Sequence, residues 1–141
     1  MADMMTFDLV SPERRVATGQ AVSVRIPGSD GDMTVYAGHA PTITSLRPGV
    51  VVVEADGGRQ EFAVIGGFAE VTAEGTSVLA EEVLPKSEVT SDYLAARIRR
   101  ATEARDAAPQ DAADIAAKFL GDLVAMGDEI GLPQTSKVPA P

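Results

Sequence analysis

Cysteine is absent from the 141 residues, which excludes disulfides and thiolate-bound metals. Tryptophan is absent too, and aromatic residues make up only 4% of the chain, so stacking platforms for nucleic-acid bases are lacking. The single histidine, His39, rules out a His-based catalytic pair and a multi-histidine metal site. No apolar run approaches the ~18 to 20 residues that a membrane-spanning helix needs, so any membrane association has to pass through a partner. Basic excess is missing as well. The formal charge is −9, and residues 1–89 carry 13 acidic against 6 basic side chains, a balance of −7 that repels phosphate backbones. Nucleic acid is therefore not an expected partner.

Signatures of chemistry are equally scarce. No Gly-x-x-x-x-Gly-Lys phosphate loop occurs, and no Gly-x-Ser-x-Gly elbow surrounds Ser11, the serine that could be imagined with His39 in a triad. Asp30-Gly31-Asp32 begins like a calcium loop but lacks the later ligands and the bidentate Glu at its twelfth position. We expect no catalytic residue, no metal and no cofactor. Met1 to Met5 has neither the basic region nor the apolar run of a secretory leader.

What the chain does contain is turn chemistry at intervals of roughly eight to twelve residues from Thr6 to Glu82, the rhythm of a sandwich or barrel. Val22, Val24 and Ile26 alternate with Ser23 and Arg25, which predicts a strand with one covered face. Val50 to Val53 shows no alternation and suits a strand covered on both sides. Asp56-Gly57-Gly58 closes a hairpin into Gln60 to Ile65. The adjacent Gly66 and Gly67 interrupt a β-prone stretch and predict a bend between sheets.

After Ser87 the period changes from two to that of a helix. Thr90-Ser91-Asp92 offers N-cap side chains, and Leu94, Ile98, Ala101, Arg105 and Ala108 recur at helical spacing until Pro109. Ala112, Ala116, Phe119, Leu123, Met126 and Ile130 predict a second amphipathic helix, giving a hairpin with a seam rich in alanine. Arg97, Arg99, Arg100 and Arg105 give the first helix a basic face, whereas 109–130 sets Lys118 alone against Asp111, Asp114, Asp122, Asp128 and Glu129. These elements predict an α+β chain: an antiparallel β-sandwich over 1–86, a helical hairpin over 87–130, and a disordered tail over 131–141.

The most specific stretch runs from Pro27 to Gly49, where three turns frame two short strands. Gly31, Asp32, Tyr36, Gly38, His39, Ala40 and Pro41, followed by Pro48-Gly49, resemble a block of the ε subunit of bacterial F1Fo ATP synthases. Leu9 to Glu13, Gly66 to Val71 and Val78 to Glu81 extend the resemblance over about the first 85 residues. The resemblance implies a sandwich of about ten strands in a non-catalytic stalk subunit, joined to the γ subunit and to the membrane rotor ring (the c-ring).

It implies further that Gly31, Asp32, Tyr36, His39 and Pro41 make the rotor-ring and stalk contacts. Read from the residues themselves, His39 is first a turn residue that bonds nearby backbone, and the two readings are compatible. The four arginines would belong to a regulatory helix that can reach the α and β subunits. Some family members bind ATP through an Asp-x-x-Arg-Ala motif here; Asp92 and Ala96 match it, but Ala95 stands where the arginine should be. The acidic second helix predicts at most weak regulation of ATP hydrolysis. The location implied is peripheral, on the cytoplasmic face of the bacterial inner membrane. Composition and periodicity alone would equally permit a small-ligand-binding sandwich with a helical lid.

Overall fold

The computed structural model describes residues 3–132. The chain divides into two compact units that part between Lys86 and Ser87. The first holds eight strands: β1 (Met5–Val10), β2 (Arg15–Ala21), β3 (Ser23–Gly28), β4 (Gly31–Tyr36), β5 (Thr42–Ser45), β6 (Gly49–Ala55), β7 (Gly58–Val71) and β8 (Gly75–Pro85). They are hydrogen-bonded in the order β2-β1-β8-β7-β6-β3-β4, with β5 added beside β7.

This one ladder becomes a two-layer sandwich because β7 changes neighbours along its length. Its first half pairs with β6, from Gly58↔Ala55 to Val64↔Gly49, and its second half pairs with β5, from Phe68↔Ser45 to Val71↔Thr42. Gly66 and Gly67 lie at the change, with φ of +77° and +112°. The register to β8 keeps the same offset on either side of Gly66, Ile65↔Glu82 and Gly67↔Ala80, so the pair makes a corner and not a bulge. A side chain would not fit: a Cβ on Gly67 would lie 2.0 Å from the Leu79 carbonyl oxygen. The corner lets Val24, Ile26, Val51, Val53 and Val64 of one layer share a core with Phe7, Leu9, Ala69, Val71 and Val78 of the other. All four valines from Val50 to Val53 are buried, as their unbroken run implied.

Two details correct the sequence reading. The strand count among the described residues is eight and not about ten, because β7 and β8 are single strands of 14 and 11 residues that pass through the corner whole. The sheet is also not wholly antiparallel, since β1 runs parallel to β8 with Leu9 opposite Val78.

The second unit contains helices α1 (Ser91–Ala107) and α2 (Ala113–Glu129). Thr90 caps α1 by accepting a bond from the Tyr93 amide at 3.0 Å, which satisfies one orphan donor of the first turn. Ala108, before Pro109, turns extended at ψ 139° and ends the helix, as a residue preceding proline must. Leu132 N bonds the Gly127 carbonyl and Gly131 takes φ +87°, closing α2 with Gly131 outside it. The deepest residues are Leu94, Ile98, Leu120, Leu123 and Met126, so alanine does not dominate as the sequence suggested. The tail expected over 131–141 falls, from residue 133 on, outside the described residues.

Glycine placement gives a paired prediction. Gly67→Ala should destabilise the sandwich by at least about 2 kcal/mol, because it combines a backbone clash with a left-handed φ. Gly121, inside α2 with open space around it, should tolerate Ala and stabilise the helix by up to about 1 kcal/mol. Urea unfolding of the two variants against the parent chain checks both signs.

Candidate functional site

Among the described residues β4 pairs with β3 alone and so forms an edge of the sheet, and the Gly31-to-Pro41 residues singled out in the sequence lie along it and in the turn that follows. Gly31 and Asp32 sit at the β3–β4 hairpin, Tyr36 ends the strand with 59% exposure, and His39 and Pro41 follow in the next turn. Asp32 and Tyr36 are separated by four strand steps, roughly 13 Å. The edge is therefore one continuous surface with Asp32 near one end and His39 beyond the other.

His39 is half-buried, its Nδ1 2.7 Å from the Ala40 carbonyl, which also accepts from Thr42 Oγ1 at 3.1 Å. Gly38 takes φ +85° there and donates its amide to Ala73. The histidine is a turn residue bonded to neighbouring backbone. Ser11 donates its hydroxyl to the Arg14 carbonyl, in a local turn of its own. Among the described residues no group of three or more His, Asp or Glu side chains could hold a metal ion.

Asp32 is not a lone acid. Its Oδ1 accepts from Arg47 Nη2 at 2.6 Å, and the same guanidinium donates through Nη1 to the Gly28 carbonyl at 2.7 Å. Arg47 lies in the β5–β6 turn, so two turns that are distant in sequence meet here. Its role escaped the sequence reading, which saw there only a turn at Pro48-Gly49.

The outer face of the second layer was also missed. Phe68 and Leu79 are directly opposite each other and 45% and 42% exposed, and Leu79 lies beside Val10 on β1. With Pro12 they line an open apolar depression of about 420 Å³. The available signal was a large residue out of phase: Leu79 points outward between Val78 and Ala80, which point in.

The basic residues of α1 do not form one face. Arg97 and Arg100 line an open groove of about 470 Å³ with Ala104, Ala108, Ile115 and Phe119. Arg99 is exposed, and Arg105 bonds the adjacent Asp106. Asp92 is exposed in the first turn of α1. No described helix is long and apolar enough to cross a membrane.

A β-sandwich with an exposed polar edge and an open apolar depression, followed by a helical hairpin, is the class of protein that the fold and these surfaces define. The profile described as the ATP synthase delta/epsilon chain β-sandwich domain matches residues 4–86. The chain is 51% identical over 132 residues to the ATP synthase epsilon chain of Rhodobacter capsulatus, covering 94% of this chain and 100% of that one. It is 48% identical over 139 residues to that of Paracoccus denitrificans, covering 94% of each. The chain belongs to the ATP synthase delta/epsilon chain family. Its fold is similar to a chain of the Euglena gracilis mitochondrial ATP synthase (TM-score 0.67, 23% identity, 86% of this chain and 80% of that one). A chain of the Tetrahymena thermophila mitochondrial ATP synthase central stalk and c-ring structure is similar too (TM-score 0.61, 12% identity, 91% and 96%).

One ion pair fixes the end of the sandwich. Lys86 Nζ donates to Glu61 Oε2 at 2.9 Å, with Arg59 3.5 Å from the other oxygen. The bond from Lys86 is the main reason the Glu61 carboxyl titrates below its ordinary 4.5, outweighing the opposing effect of burial. A depressed folded value means the stabilisation is complete above 4.5 and is lost as pH falls through the lower folded value. Glu61→Gln should therefore lose less unfolding free energy than the parent between about pH 5 and pH 3. Denaturant titrations across that range test it.

Proposed function

We infer that this chain is the ε-type subunit of the central stalk of a proton-translocating ATP synthase. It contributes no catalytic residue and acts by attachment. The observation that carries this reading is the near-complete alignment with epsilon chains at about half identity, spanning sandwich and hairpin alike. Physically, a stalk connector must transmit torque without yielding. A sandwich held by cross-strand bonds along its whole strand order, with exposed turns for specific contacts, suits that task.

The two surfaces suit different partners. The apolar row of Val10, Leu79 and Phe68 fits an apolar face of the γ shaft, where burying large side chains supplies affinity. The polar edge of Gly31, Asp32, Tyr36, His39 and Pro41 fits the polar loops of the rotor ring. Through these partners the chain would lie on the cytoplasmic face of the inner membrane. The hairpin's basic residues, Arg97, Arg99, Arg100 and Arg105, could engage acidic surface on the α and β subunits, but α2 presents mainly acidic side chains that would oppose it. Nucleotide regulation through Asp92 lacks its arginine at Ala95.

The test is a variant ending at Lys86. It should join γ and the ring as the full chain does, and hydrolysis by the assembled enzyme should change by no more than about twofold if the hairpin inhibits weakly. A folded variant that fails to join γ would contradict attachment through the sandwich. A several-fold rise in hydrolysis would contradict weak inhibition.

A further inference from the structure

We propose that Arg47 is a positioning residue for rotor attachment, holding the Asp32 carboxylate and the β3–β4 hairpin in the docking geometry, so that the attaching unit is the Asp32–Arg47 pair and not Asp32 alone. The inference rests on the stalk reading above and adds a residue to it.

The order of dependence is visible in burial and bonding. Arg47 has 24% of its side chain exposed and Asp32 48%, so the arginine is the more enclosed of the two. The arginine's own backbone is fastened on both sides. Leu46 N bonds the Gly67 carbonyl at 2.9 Å, and Arg47 N bonds the Pro27 carbonyl at 3.0 Å. Gly49 then packs so closely on Pro27 that a Cβ would lie 2.6 Å from the proline ring. From this anchored position the planar guanidinium reaches two points of the hairpin, the Gly28 carbonyl at 2.7 Å and Asp32 Oδ1 at 2.6 Å.

Two fixed donors on one plane set both the position of the turn and the orientation of the carboxylate. A lysine could carry the charge but not serve both acceptors in this geometry. An exposed carboxylate at the start of an edge strand, as Asp32 is opposite Pro27, would without such a tie sample several rotamers and lose them on docking. Arg47 contributes by removing that cost before the encounter.

The experiment measures binding of the full chain to a purified γ–rotor-ring subcomplex in detergent, alongside amide exchange of Gly28 to Asp32 in the free chain. Arg47→Gln should bind about tenfold more weakly and exchange faster at the hairpin while its thermal midpoint stays within a few degrees of the parent. Asp32→Asn should weaken binding similarly, and the double variant should be no worse than either single one, because the two act as a unit. Arg47→Lys, which keeps the charge and is the safer variant for folding, should also bind more weakly. Parent-like binding by Arg47→Gln or Arg47→Lys would overturn the proposal, as would additive losses in the double variant. If the parent chain itself did not bind the subcomplex, the stalk reading would fall and the inference with it.

Discussion

The corner at Gly66 and Gly67 is the constraint on which the rest of the sandwich depends. Only there does the backbone of β7 come so near β8 that no Cβ fits, and only a residue free to take positive φ can make the turn. Once the corner is made, the two halves of β7 face different neighbours and one hydrogen-bonded ladder becomes two layers around a single core. The corner reaches further through the Gly67 carbonyl, which accepts from Leu46 and so places the β5–β6 turn. That turn carries Arg47 to the β3–β4 hairpin. Phe68, the next residue after the corner, faces outward to begin the apolar row. Both candidate contact surfaces thus derive their placement from one backbone feature.

Docking as proposed would draw on pre-arranged surfaces. Side chains already held need not be ordered on association, and the saved conformational entropy appears as affinity. The ties seen here are of that kind: Arg47 to Asp32 and Gly28, Lys86 to Glu61, His39 to Ala40. Each surface pair contributes little to folding stability, since exposed ion pairs are worth about 0–1 kcal/mol. Their effect is to fix geometry at the edges of the sandwich.

Much of the sandwich was legible because its signals are local. Alternation marked β3, the valine run marked β6, and the glycine pair marked the corner. The family block marked the exposed edge. What escaped is what depends on distant pairing. β2 reads as polar sequence, with Thr18 and Gln20 facing solvent, and becomes a strand only by pairing with β1. The parallel pairing of β1 and β8 joins residues about seventy positions apart and leaves no mark in either segment. Arg47 and Asp32 are fifteen residues apart on different turns, so their pairing appears only when the corner is in place. In the hairpin, spacing found the right helices, but Leu120, one position beyond Phe119, is the more deeply buried of the two.

The stalk role proposed above is mechanical: a chain joined to both the rotor ring and the shaft would let rotation of one drive the other. The most direct measurement is ATP-driven proton uptake per ATP hydrolysed, in membrane vesicles depleted of this chain and then replenished with it. Replenishment should restore uptake per ATP to the level of untreated vesicles. Equal uptake per ATP in depleted and replenished vesicles would contradict the account.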